Sequence, residues 1–329
     1  MTNETLPKTL QGAIQYFTDE ELCIQFVAKL RWPKGIATCP NCGSQDSMYQ
    51  PARKTWRCRE CNKHYSVKQG SIFEDSPIPL HKWLAGFWLI ANAKNGISSY
   101  EIHRALGITQ KSAWHMMHRI RLAMQNGTLE KVGGEGETVE VDETYIGGLA
   151  RNMHADVRKR KIQGRTGWVG KTAVFGLLER SKDGKKSRVR TQVIPQNWSN
   201  EARAIIRENV KSGTTVYSDE HGAYFPLKAE GFIHDFVRHA EEYVRGSVHT
   251  NGIENFWALL KRCIKGTYVS VEPFHMFRYL DEESFRFNER FGSDQDRFML
   301  ALSGINGKRV TYAQLTGKQE ASIAEDQPQ

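Results

Sequence analysis

Four cysteines fall into two pairs, Cys39-Pro-Asn-Cys42 and Cys58-Arg-Glu-Cys61, with 15 residues between the pairs. Two knuckle turns at that spacing can bring four thiolates to the corners of a tetrahedron around one zinc ion, so residues 33–76 are expected to fold as a zinc ribbon. Gly43 follows the first knuckle, where the chain must turn, and Trp56, Tyr65 and Val67 are placed to form a small sheet beneath the metal. Thiol exchange also uses CxxC, but no thioredoxin-like strand-helix-strand pattern surrounds either pair. With four cysteines present, His64 reads as a surface residue, and Cys23 and Cys263 read as ordinary thiols on helices.

No apolar run approaches the roughly 20 residues of a membrane span. Residues 1–10 lack the basic and then apolar order of a secretory signal. The expectation is a cytoplasmic protein, where six cysteines point to metal or chance rather than to disulfides. Before the ribbon, residues 1–32 form a helical lead-in, with Ile14, Phe17, Leu22, Phe26 and Leu30 at helical spacing and Thr18 as a cap ahead of Asp19, Glu20 and Glu21. Residues 77–126 are strongly helical, and 127–137, with Gly127, Gly133, Gly134 and Gly136, read as a linker. From 138 to 310 the pattern is a mixed α/β domain. Strands are expected at Thr138–Tyr145, Thr172–Leu178, Ser187–Ile194, Thr214–Ser218 and Phe232–Val237, a helix runs from Ser199 or Asn200 to Val210, and helices dominate after Gly252. Residues 311–329 are a polar tail.

The segment 97–121, ISSYEIHRALGITQKSAWHMMHRIR, has the outline of a helix-turn-helix. Ser98 or Ser99 caps a short helix, Gly107 makes the turn, and Thr109 caps a longer helix over a small core of Ile102, Leu106, Ile108 and Ala113. The polar face of the second helix carries Gln110, Lys111, His115, Arg119 and Arg121, which is the pattern of a helix that reads DNA. A plain helical hairpin is the bland alternative. Net charge is +9, and between Arg151 and Lys171 seven basic residues stand against the single acid Asp156. Arg158, Lys159, Arg160 and Lys161 lead that block, which is either a phosphate-binding stretch or a solvated loop.

Three acids carry the chemistry. Asp142 lies in an alternating strand, Asp219 ends an apolar strand where it meets a turn, and Glu254 sits on a helix whose buried side is Ile253, Phe256, Trp257 and Leu260. Phosphodiester chemistry needs an activated oxygen nucleophile and a stabilised leaving oxygen, and two metal ions about 4 Å apart, held by carboxylates, supply both. The order strand Asp, strand-end Asp, helix Glu matches a ribonuclease H-like catalytic core. Lys261 falls two helical turns after Glu254, placed to meet DNA phosphate.

The phrases VDETYIGG, YSDEHGAY and HTNGIENFWALLKR, with 34 residues between Asp219 and Glu254, resemble the DDE transposases of bacterial insertion sequences. CPNCGSQ and WRCRECNKHYSVKQGSIFEDSPIPLHKW resemble the branch with an N-terminal zinc ribbon, related to the Merlin elements, so the likeness covers roughly residues 15–305. The resemblance implies cleavage of double-stranded DNA at terminal inverted repeats and transfer of the freed 3′ hydroxyl into target DNA. It implies Asp142, Asp219 and Glu254 as ligands of Mg²⁺ or Mn²⁺, Lys261 as their basic partner, Zn²⁺ in the ribbon, and a homodimer or higher assembly on the nucleoid. Some relatives place Asn third, which leaves Asn251 as an alternative to Glu254. Glu143 and Glu220 are expected on the opposite strand faces, His221 and His249 near the metals or on DNA, and Arg286, Asn288 and Arg290 in the family's closing helix. Two other readings stay open: a transposase-derived DNA-binding regulator, and a hydrolytic nuclease of the same fold.

Overall fold

The computed structural model describes residues 6–125, 130–147, 154–162, 170–182, 184, 186–195, 199–237 and 248–317. The chain divides into two compact units, one built from residues 1–126 and 291–329 and the other from 127–290.

In the first unit, the lead-in is two helices, α1 (Leu10–Tyr16) and α2 (Glu20–Arg31). Asp19 caps α2 by accepting from the Leu22 N–H at 2.9 Å, while the expected cap Thr18 donates its hydroxyl back to Ile14 and Gln15 carbonyls. A carboxylate at the N-cap also meets the positive end of the helix dipole, which favours Asp19 over the neighbouring hydroxyl. The ribbon sheet runs β1 (Ser47–Gln50), β2 (Thr55–Cys58) and β3 (His64–Tyr65), antiparallel throughout. Trp56 and Tyr65 are directly opposed across it, and Tyr49 and Trp32 pack on Trp56 with ring centroids 4.6 and 5.0 Å away. Then come α3 (Leu80–Asn92), α4 (Ser99–Leu106) and α5 (Gln110–Met124). Ser98 and Glu101 form a reciprocal capping box on α4, Gly107 closes it, and Thr109 caps α5. Of the expected small core, Ile102 and Ala113 are fully buried, and Leu106 and Ile108 are half-buried.

The C-terminal helices α10 (Asp294–Ser303) and α11 (Tyr312–Leu315) belong to this first unit. Phe298 of α10 packs between Trp88 of α3 and Phe17, with centroids 5.0 and 5.9 Å away. The boundary expected at 310 therefore moves to Phe291, because the apolar face of α10 finds its partners some 200 residues earlier in the chain.

The second unit is a five-stranded sheet in the order β6-β5-β4-β7-β8, where β4 is Thr138–Ile146, β5 Thr172–Glu179, β6 Arg188–Ile194, β7 Thr215–Asp219 and β8 Ile233–Val237. β6, β5 and β4 pair antiparallel, and β4, β7 and β8 pair parallel. This is the mixed sheet of a ribonuclease H-like fold. Short α6 (Ala155–Ile162) lies between β4 and β5, and α7 (Ser199–Asn209) between β6 and β7. Val139, Val141, Phe175 and Val216 bury one sheet face with Ile205 and Ile206 of α7. Ile146, Val174 and Leu178 bury the other with Ile253, Phe256 and Trp257 of α8 (Asn251–Cys263) and Leu280 and Phe287 of α9 (Met276–Asn288). Strand alternation thus assigns the even-numbered residues of β4 to the α8 side.

Candidate active site

Residue by residue, β4 sends Val139 and Val141 into the α7 core, so Glu140, Asp142 and Thr144 face α8. The parallel register sets Glu140 beside Tyr217, and two residues further on each strand stand Asp142 and Asp219. The two aspartates are therefore level, adjacent and on one face. Asp219 stops β7, and its Oδ1 accepts from the His221 N–H at 3.0 Å, an Asx turn that holds the carboxylate at the strand end.

Asp142 sits in a groove made by an absent side chain. Opposite it on β5 is Gly176, where a Cβ would lie 2.6 Å from Cζ2 and 2.7 Å from Cη2 of Trp257. With only hydrogen there, the indole lies across the sheet and its Nε1–H donates to Asp142 Oδ2 at 2.9 Å. Burial first, then the charge of Asp219, and more weakly that of Glu254, push the Asp142 carboxyl up to about 7. Glu254 is exposed on α8, and its Oε1 accepts from the Thr250 hydroxyl at 2.6 Å. Asn251, the alternative, is the exposed first residue of α8, one turn before Glu254. Lys261 is half-buried; burial pulls its pKa down, and the charge of Asp142 opposes that shift. All four charged candidates thus gather on the α8 side.

Glu143 projects to the other face, where its Oε2 accepts from the buried Tyr224 hydroxyl at 2.8 Å. Burial, Asp142 and Asp219 push its carboxyl up to about 8. Glu220 and His221 are exposed, and His249 Nδ1 accepts from Arg180 at 2.7 Å. Arg286 is buried between Glu282 and Glu283 within α9, while Asn288 and Arg290 bond to Val189 and Ser187 at the start of β6.

Neighbouring carboxylate charge adds to burial in raising Asp142 and Glu143, and an all-oxygen donor set such as this could hold a hard ion such as Mg²⁺. Among the described residues, ligand atoms of three or more such side chains come within 4.8 Å of one another only at Cys39, Cys42, Cys58 and Cys61. Asp142, Asp219 and Glu254 do not converge to that distance. In the cysteine group, Cys39 Sγ is 3.7 Å from Cys61 Sγ and Cys42 Sγ 3.5 Å from Cys58 Sγ, and the Cys61 backbone N–H helps hold the Cys58 thiol down to about 6. Four converging sulfurs fit zinc. His64 is exposed; Cys23 is buried, which pushes its thiol up to about 12, and Cys263 is raised by burial as well.

The family model of an ISXO2-like transposase domain matches residues 133–288, which span the sheet with α8 and α9, and that of a transposase zinc-ribbon domain matches residues 18–64. An uncharacterized transposase-like protein of Haemophilus influenzae is 34% identical over 103 residues, 31% of this chain and 83% of its own length. The chain belongs to the IS1595 family of DDE transposases, with a zinc ribbon. A protein of transposable element ISH50 from Halobacterium salinarum is 25% identical over 261 residues, 76% of this chain and 84% of its own length.

The transposase's helix-turn-helix departs from expectation on its second helix. Arg119 is 5% exposed and donates to the carbonyls of Val310, Ile72 and Glu74 at 3.1, 2.8 and 2.6 Å. His115 is half-buried, with Nε2 3.3 Å from the Val310 carbonyl, and Arg121 is buried. His115 and Arg119 are structural groups, because the segment before α11 returns to cover the face on which they lie, and Arg121 is withdrawn by its own burial. Lys111 is exposed with its ammonium 4.3 Å from the Tyr312 ring centroid, and Gln110 donates to Ser99 Oγ at 2.8 Å. Of the basic run in this transposase, Arg158 and Lys159 are exposed on α6; the side chains of Arg160 and Lys161 lie outside the described residues. The tail beyond 317 lies outside them too, as do residues 127–129 of the linker expected at 127–137; within its described part Val132 is buried and bridges to Val210. No described helix is long and apolar enough to cross a membrane.

Trp257, Gly176, Thr250 and Glu140 surround the acids and are absent from the sequence reading as site residues. Gly176 had a usable signal, since a glycine inside a hydrophobic strand marks a close approach.

Proposed function

We propose that this transposase binds the inverted-repeat ends of an insertion sequence and catalyses metal-dependent DNA cleavage and strand transfer. The observation that carries the reading is the level placement of Asp142 and Asp219 on adjacent parallel strands, under the helix that bears Glu254. In this reading Asp142, Asp219 and Glu254 hold Mg²⁺ or Mn²⁺. Divalent ions there supply the charge that activates water or a 3′ hydroxyl and steadies the leaving oxygen. Asp142 is oriented by the Trp257 indole, whose Nε1–H donates to its Oδ2. Lys261, two turns beyond Glu254, meets a DNA phosphate and offsets the charge of the acids. Glu254 is preferred to Asn251 because its charge is felt at Asp142. Lys111, Gln110 and the run Arg158 to Lys161 are the DNA-contacting groups retained, the ribbon holds Zn²⁺, and at least two copies pair the element ends on the nucleoid.

The test is incubation of the protein with labelled element ends and a plasmid target, with and without Mg²⁺. Cleaved ends joined to plasmid are expected, and only with the metal. Asp142→Asn, Asp219→Asn and Glu254→Gln should each lower cleavage by at least about a thousandfold while end binding persists. Binding without cleavage by the unaltered protein would leave a DNA-binding regulator, and cut ends never joined to target would leave a hydrolytic nuclease.

A further inference from the structure

Glu140 lies two residues before Asp142 on β4 and is 1% exposed. A carboxylate taken out of water must have its oxygens met by donors. Oε1 accepts from Arg180 Nε at 2.6 Å, and Oε2 accepts from the backbone N–H of Ile253, in the first turn of α8, at 2.8 Å. Arg180 also donates to the carbonyl oxygen and Nδ1 of His249, each at 2.7 Å, which ties the turn before α8 to the same group.

Two details of α8 depend on this arrangement. At Gly252 a Cβ would stand 2.8 Å from Glu140 Oε2 and 3.1 Å from Oε1, so only glycine lets the helix start rest on the carboxylate. Thr250 occupies the N-cap position, yet its side chain makes no capping bond; its hydroxyl donates instead to Glu254 Oε1. An N-cap threonine ordinarily satisfies a first-turn N–H. Here that service comes from the sheet.

We propose that Glu140 is a positioning residue for the third metal ligand: it caps α8 from β4, and so leaves Thr250 to hold Glu254 toward Asp142. The inference rests on Glu254 being that ligand. Glu140 itself touches neither metal nor DNA. Its negative charge also faces the positive end of the helix dipole. The chain of action runs from Glu140 and Gly252 to the helix start, from there to Thr250, and from Thr250 to Glu254.

The test uses full-length protein and three variants, Glu140→Gln, Gly252→Ala and Thr250→Val. Hydrogen exchange is followed in the peptide holding Ile253, and Mg²⁺ is titrated in a single-turnover cleavage assay on labelled ends. Glu140→Gln and Gly252→Ala are expected to speed exchange at the α8 start about tenfold and to raise the Mg²⁺ requirement, or lower the rate, about 10- to 100-fold. Thr250→Val should do the second without the first. End binding should be unchanged in all three. Alanine is the better helix former, so loss of activity in a folded Gly252→Ala protein cannot come from helix propensity. Unchanged exchange in both Glu140→Gln and Gly252→Ala would overturn the proposal, as would an unchanged Mg²⁺ requirement and rate in Gly252→Ala. If the unaltered protein cleaves no DNA, the transposition reading fails, and the exchange measurement alone still decides whether Glu140 seats the helix.

Discussion

Ionising Asp142 means placing a negative charge in a half-buried groove already shared with Asp219 and Glu254, which is why its pKa rises from 3.8 to about 7. Glu143, across the strand, rises from 4.5 to about 8 for the same reasons of burial and neighbouring charge. Between the ordinary and raised values the folded, metal-free core binds protons that the unfolded chain has released. The stability these groups contribute is therefore present below their ordinary values and lost as pH climbs through about 7 and 8. In EDTA, the melting temperature of the core should fall from about pH 5 to about pH 8, and Mg²⁺ should restore it at the upper end. Asp142→Asn should flatten that slope and stabilise the metal-free protein at pH 8 by about 2 kcal/mol. A melting temperature that climbs over this range, measured by calorimetry, would refute the electrostatic account. Trp257→Phe keeps the ring over Gly176 but removes the donor to Asp142. It should fold normally and cleave about tenfold more slowly at limiting Mg²⁺, as metal titrations of single-turnover rates would reveal.

Among the elements, β4, β5, β6, β7, α7 and α8 were legible, because each is declared by local alternation or helical spacing together with a turn or cap. The ribbon was legible for the same reason, since its ligand spacing is local and metal geometry admits few answers. Helix α5 was legible as a helix and misleading as a surface. Its basic residues at 115 and 119 share one face, and nothing within the helix says that residues near 310 will lie on it. Arg119→Met, which keeps the stem and loses the guanidinium, leaves three carbonyls without their donor. It should destabilise the first unit by about 2–4 kcal/mol, seen as an earlier unfolding transition. DNA affinity per folded molecule should stay within about twofold, whereas Lys111→Ala should weaken binding without touching stability. The reverse pattern would return Arg119 to the DNA surface.

On the scale of the whole molecule, the first unit is made from both ends of the chain, with the core domain inserted between them. Removing everything after Arg290 should spare the fold of the sheet domain and loosen the first unit. It strips Phe298 from Trp88 and Phe17, and Val310 from Arg119. Limited proteolysis should then cut within the helices before residue 126 while the sheet domain resists; cleavage inside the sheet domain first would contradict this division. What the sequence alone determined was what local chemistry can encode: the metal ribbon, the strand and helix periods, the capped turns, and three acids in a telling order. Tertiary structure alone decided which faces those elements share. It set Glu140 under α8, laid Trp257 across Gly176, and covered α5 with a segment from the far end. Those pairings depend on packing between residues scores of positions apart, and a one-dimensional pattern carries no term for such contacts.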